Sequence, residues 1–142
     1  MKIIKPYIVP RPFGGFNIPI SIQSIYLKDY SLRNKYTFTL PTVEMTTSNS
    51  FIKLESMLKS GFHDSLDISI VSLFVLPVEN MLILEKVFSD YKNNNNIKLH
   101  ILLEKKILSV GELLMWAQDT GSIRKLIPSY SDVKELLKNF KV

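Results

Sequence analysis

Six polar residues spread along this sequence carry the chemistry of a small-molecule site: Arg11, Asn17, Glu44, Ser72, His100 and Glu104. Arg11 could hold a phosphate or carboxylate through two parallel N–H donors. Glu44 and Glu104 could act as paired carboxylates in general acid and base catalysis, because two facing acids push their pKa values apart. The alternative is that one of them caps a helix or pairs with Arg11 while the other is solvated. His100 is either a base or a buried histidine satisfied by hydrogen bonds. His63 lies in a polar loop with no partner in view, and two histidines this far apart, without carboxylates at ligand spacing, make a weak metal site. No metal and no cofactor are expected.

These residues matter together only if the fold gathers them. Hydrophobic periodicity alternates between two and 3.6 along the chain. Strands are read at 7–9, 36–40, 67–76 and 97–103, and helices at 19–34, 51–60 and from Pro77 to Lys92. Pro41 to Ser50 reads as a polar loop, and the run Asn93 to Asn96 reads as a turn, since asparagine tolerates left-handed backbone. Two helices, "GELLMWAQ" and "SDVKELLKNF", close the chain. A strand–helix step of about thirty residues marks βαβ units and a parallel sheet. The fold class is therefore α/β, and the leading arrangement is three-layer and flavodoxin-like. It has a mainly parallel four-stranded sheet, flanking helices and two C-terminal helices. One domain spans 1–142, with an α/β core at 1–108 and the C-terminal helices at 109–142.

In an open parallel sheet, ligands bind beyond the carboxyl ends of the strands. That rule selects the connections at Pro10–Ile18, "PTVEMTTSNS", "SLFVLP" and "LEKK", which carry Arg11, Asn17, Glu44, Ser72 and Glu104. Alternation places His100, Leu102 and Glu104 on one face. In "VPRPFGGFNIPISIQ", Gly14 and Gly15 would let the backbone approach a ligand, and the helix beginning near Pro19 would offer free N–H groups to an anion. The stretch matches neither a Walker loop nor a dinucleotide fingerprint, so a phosphate cradle and a purely structural turn both stay open.

Composition bounds the rest. The chain has 142 residues, 46% of them apolar, and no window approaches the ~20 apolar residues of a membrane span. Without cysteine there is no disulfide, thiol nucleophile or thiolate metal site. No signal peptide is visible, and a cytoplasmic protein is expected. The net charge is +5, but the lysines are scattered, which argues against a nucleic-acid groove. Trp116 with Leu113, Leu114 and Met115 suggests core packing or a homodimer interface through the C-terminal helices.

The landmarks Gln23, Leu27, Tyr30, Glu44, "FIKLESMLKSG" and "DISIVSLFVLP" resemble the order found in the catalytic domain of serine recombinases (resolvases), a compact parallel α/β fold. Arg11 stands at the place of that family's nucleophilic serine, Val9 at its arginine, and Phe74 and Val75 at its Asp-Arg pair. Phosphodiester transfer needs the nucleophile and the cations, so the resemblance extends to the fold and not to strand exchange. A closer resemblance is to the sporadic carbohydrate cluster proteins of bacterial surface-glycan loci. It rests on Arg11, Pro12, Gly14, Gly15, Asn17, Pro19, Gln23, Asp29 and Tyr30, followed by Glu44, "LE", "SLFVLP" and "HILLE". This resemblance implies a role in lipopolysaccharide or capsule biosynthesis, with a sugar or nucleotide sugar bound or modified. With the strand-end rule, the expected binding residues are Arg11, Gly14, Gly15, Asn17, Gln23, Ser72 and His100, with Glu44 and Glu104 as acid or base. The alternatives are a non-catalytic interaction or regulatory subunit of a glycan-synthesis enzyme and, behind it, a degenerate recombinase-like DNA-binding protein.

Overall fold

The sheet is organised around β1 (Ile3–Ile8), in a computed structural model that describes residues 2–13, 17–46, 50–60, 65–78 and 80–118. β1 is longer than the sequence suggests and contains Pro6, which lacks a backbone donor. The carbonyls of Lys2 and Ile8 accept the N–H groups of Thr37 and Glu44, so even-numbered residues of β1 turn their hydrogen-bonding groups to that side. Pro6 lacks its donor there, and the neighbouring strand is broken at that point. β2 (Thr37–Phe38) pairs as Ile3 with Thr37 and Ile4 with Phe38, and β3 (Thr42–Val43) resumes as Tyr7 with Thr42, one residue out of step. The Thr39 hydroxyl donates to the Ile4 carbonyl at 3.2 Å inside the gap. The expected strand at 36–40 is therefore an edge interrupted opposite a proline, and Thr42–Val43 belong to the sheet rather than to a polar loop.

On its other side β1 runs parallel to β4 (Leu66–Ile70), and β4 runs parallel to β5 (Ile97–Ile101). β6 (Lys106–Ser109) then pairs antiparallel with β5. Among the described residues the sheet is six-stranded, in the order β2-β1-β4-β5-β6 with β3 also on β1, rather than four-stranded. The chain turns at 102–105, so β5 stops at Ile101 and the alternation expected to carry on through Glu104 ends there. β4 likewise ends at Ile70. After it, Leu73–Val75 form a 3₁₀ turn in which Ser72 Oγ accepts the Phe74 N–H.

α1 (Ile20–Arg33) starts after Pro19, whose carbonyl accepts the Gln23 N–H. α2 (Ile52–Ser60) buries Leu54, Met57 and Leu58. α3 (Met81–Phe88) begins later than Pro77 because Asn80 supplies the cap, its side chain accepting the Ile83 N–H at 3.3 Å. α4 (Val110–Gln118) packs on α3, β5 and β6. The second C-terminal helix expected from "SDVKELLKNF" falls outside the described residues. The asparagine turn forms without left-handed backbone. Among the described residues positive φ occurs at Lys35 (60°) and Lys105 (56°). No helix among the described residues is long and apolar enough to cross a membrane.

Every residue of β4 is buried, including Asp67 and Ser69. A buried Ile contributes about 1.5–3 kcal/mol, whereas burying an unpaired carboxylate costs several, so Asp67 must have partners.

Candidate functional site

The structure divides the residues singled out in the sequence into two groups. Glu44, 3% exposed, accepts the Tyr7 hydroxyl at 2.9 Å on Oε1. Its carboxyl oxygens also accept the N–H groups of Met45, Lys53 and Leu54. The last two open α2, so Glu44 caps that helix from eight or more positions upstream and ties it to β1. Burial, reinforced by Glu44, pushes the Tyr7 phenol far above its ordinary value and keeps it a donor. Arg11 donates to the carbonyls of Met45 and Ser50, each at 2.9 Å, and lies over the Phe51 ring. It clamps the loop that carries Glu44. Arg11→Ala should lower unfolding stability by about 1–3 kcal/mol in urea titration, the scale of two ordinary hydrogen bonds, since one of these is exposed and the other half-buried.

Gln23, fully buried, donates from Nε2 to the carbonyls of Val9 and Ile18 at 2.8 Å, closing the base of the first loop. Its Oε1 has no hydrogen-bond partner among the described residues. Asn17 is exposed. Gly14 and Gly15, the centre of the expected anion cradle, lie outside the described residues, as does His63.

Ser72 and Glu104 form the second group. The Ser72 hydroxyl donates to Glu104 Oε1 at 2.7 Å, and the Leu73 N–H reaches both carboxyl oxygens. Burial raises the Glu104 pKa above its ordinary value, against the pull of these donors. Glu44 and Glu104 share no hydrogen-bond partner, so each carboxyl is held in its own setting.

His100 is buried at 2% exposure at the centre of a network. Register places Ser69 beside His100 and Asp67 beside Lys98, on one face of β4 and β5. His100 Nε2 lies 3.3 Å from Asp67 Oδ2, and Lys2 Nζ reaches the same oxygen at 3.2 Å. The Tyr30 hydroxyl, from α1, is 2.8 Å from His100 Nδ1. A carboxylate facing Nε2 assigns the proton to that nitrogen, so Nε2–H donates to Asp67 and Nδ1 accepts the Tyr30 O–H. Tyr36 packs edge-on against the imidazole at 5.4 Å and stacks on Tyr30. Burial pulls the His100 pKa below 6.5, Asp67 pulls it back up, and Lys2 and Lys98 push it down. Burial also raises the Tyr30 phenol.

Tyr30 connects this interior to a groove of about 410 Å³ between α1 and the β5–β6 turn. Tyr26, Tyr30 and Arg33 line it from α1 and Asn34 from its C-cap, with Lys105 from the turn and Lys106 from the start of β6. The size suits a small-molecule site, and the lining combines aromatic rings with cationic groups. Arg33 is braced by Asp29 at 2.8 Å, and Lys106 lies over Trp116. Among the described residues no group of three or more His, Asp or Glu could hold a metal ion.

Of this site His100 was singled out from the sequence, whereas Asp67, Lys2, Tyr26, Tyr30, Tyr36, Arg33, Lys105 and Lys106 were given no role in it. Two signals were available. Tyr26, Tyr30 and Arg33 are spaced i, i+4, i+7, one face of a helix. In "LDISI", polar residues alternate with apolar ones in a strand buried on both faces. Comparison of the chain with protein-family models, curated proteins and solved structures found no match.

Proposed function

We infer that this chain serves surface-carbohydrate biosynthesis by binding, and acting on, a phosphorylated or nucleotide-activated sugar in the groove between α1 and the β5–β6 turn. The observation that carries the reading is the lining: Arg33, Lys105 and Lys106 offer positive charge to a phosphate, and Tyr26 and Tyr30 offer ring faces to a sugar. Sequence resemblance to the sporadic carbohydrate cluster proteins supplies the pathway. The same reading includes a cytoplasmic location and a resolvase- or flavodoxin-like layering, which the mostly parallel order of β2, β1, β4 and β5 supports. An interaction role has its own support in Leu82 and Met115, which are 81% and 72% exposed beside a second groove between α3 and α4.

Lys105 provides the test. Its φ of 56° lies in left-handed space, where a side chain costs about 1–2 kcal/mol and glycine is at ease. Lys35, at 60°, stands in the same conformation and does not line the groove. Both Lys105→Gly and Lys35→Gly should raise stability by about 1 kcal/mol. In a thermal-shift series with UDP-, CDP- and GDP-sugars and sugar phosphates, the wild type and Lys35→Gly should be further stabilised by ligand, and Lys105→Gly should not. No shift with any of these compounds, or a full shift in Lys105→Gly, contradicts the reading.

A further inference from the structure

Tyr30 both lines the groove and reaches a buried histidine that is itself held by a buried carboxylate. We propose that Tyr30, His100 and Asp67 form a proton relay that activates a hydroxyl group of the bound ligand, a proposal that rests on reading the groove as the ligand site. The Tyr30 oxygen donates its proton toward His100 Nδ1 and keeps lone pairs for a hydroxyl of the ligand. As the ligand O–H bond breaks, its proton passes to the Tyr30 oxygen and the phenol proton passes to His100 Nδ1. An alkoxide on the ligand and an imidazolium next to Asp67 result, and the reverse transfer restores the starting state.

The charged and titratable groups facing His100 are Asp67 on β4, Lys98 on β5, Lys2 ahead of β1, Tyr36 ahead of β2 and Tyr30 on α1. Burial holds the phenol protonated and the imidazole neutral near neutrality, the state from which the transfer starts. Asp67 counters that burial and is placed to stabilise the imidazolium. A network kept for stability alone has a poor rationale here. Apolar replacements for buried ionic groups are often neutral or stabilising. Ser69, paired in register with His100, keeps a buried hydroxyl with no hydrogen-bond partner among the described residues. The interior is polar beyond what its own hydrogen bonds use.

An aryl sulfonyl fluoride bearing a carboxylate tests the relay without knowledge of the ligand. The phenol oxygen forms an O–S bond as S–F breaks, fluoride leaves, and the phenol proton goes to His100. Peptide mass spectrometry should find Tyr30 modified faster than the other tyrosines, and the rate should fall about a hundred-fold in His100→Gln, the lower range of general-base assistance. Thermal melts establish that the variant folds. If His100→Gln does not fold, Asp67→Asn retains the imidazole and should slow labelling several-fold. Labelling of Tyr30 no faster than its fellow tyrosines, or unchanged in the folded variant, overturns the relay. UDP-glucose or glucose 6-phosphate should protect Tyr30. His100-dependent labelling that neither compound slows supports the relay and counts against the sugar reading.

Discussion

Glu44→Ala should cost about 3–5 kcal/mol of unfolding stability, the scale of several buried donors losing one shared acceptor. Its carboxyl oxygens satisfy the Tyr7 hydroxyl, which is fully buried, and the first N–H groups of α2. Alanine leaves all of these without an acceptor, and each stranded buried donor costs about 1–3 kcal/mol. Glu44→Gln keeps the shape and one acceptor oxygen, so its cost should be about half as large. Domains of this size have about 5–15 kcal/mol in total, so the alanine variant should show a much reduced urea midpoint at an unchanged slope. A loss below about 1 kcal/mol would show that α2 is held by its apolar face alone. The experiment also separates scaffold from chemistry, since Glu44 lies with Arg11 in the clamp at the first loop and not in the α1 groove.

The second large effect is at Asp67. Asp67→Ala removes the acceptor of His100 Nε2–H and the counter-charge of Lys2, and should cost about 2–3 kcal/mol near neutrality. Lys2 is half-exposed and turns to water, so most of the loss belongs to His100. The pH dependence has a defined sign. His100 has a folded pKa below its ordinary 6.5, so the unfolded chain binds the proton more readily, and stability falls as pH drops from 6.5 through the folded value. Asp67 is the group that raises that folded value. Without it the imidazolium is harder still to form inside the fold, and the gap between variant and wild type should widen on acidification. Urea titrations at about pH 8 and about pH 5 measure this. A gap that narrows in acid would mean that Asp67 does not stabilise a charged His100. Glu104 acts in the opposite direction. Its raised pKa favours the protonated form in the fold, a contribution lost as pH rises through the folded value.

Much of the architecture was legible because period and burial agree. The four helices of the described residues lie close to the positions that their 3.6 spacing, Pro19 and the apolar run of β4 indicate. What escaped were elements set by pairing rather than by pattern. β2 and β3 are two residues each and take their identity from the defect opposite Pro6. β6 follows a turn closed through the left-handed Lys105, a residue whose type does not announce that conformation. The site was half legible for a related reason. Strand-end logic finds residues beyond the sheet, such as Ser72 and Glu104, which do meet. It passes over Asp67 and His100, which lie within strands and meet only because register sets them on one face, where Tyr30 of α1 reaches His100. Arg11 and Glu44 have the residue types of a site, and the structure uses both to fasten the loop ahead of α2.

The central claim is the location of the ligand, and backbone amide chemical-shift mapping with UDP-glucose tests it most directly. Saturable perturbations concentrated at Tyr26, Tyr30, Arg33, Lys105 and Lys106 are the predicted result. Perturbations concentrated at Arg11, Met45 and Ser50, with the α1 groove unmoved, would contradict it.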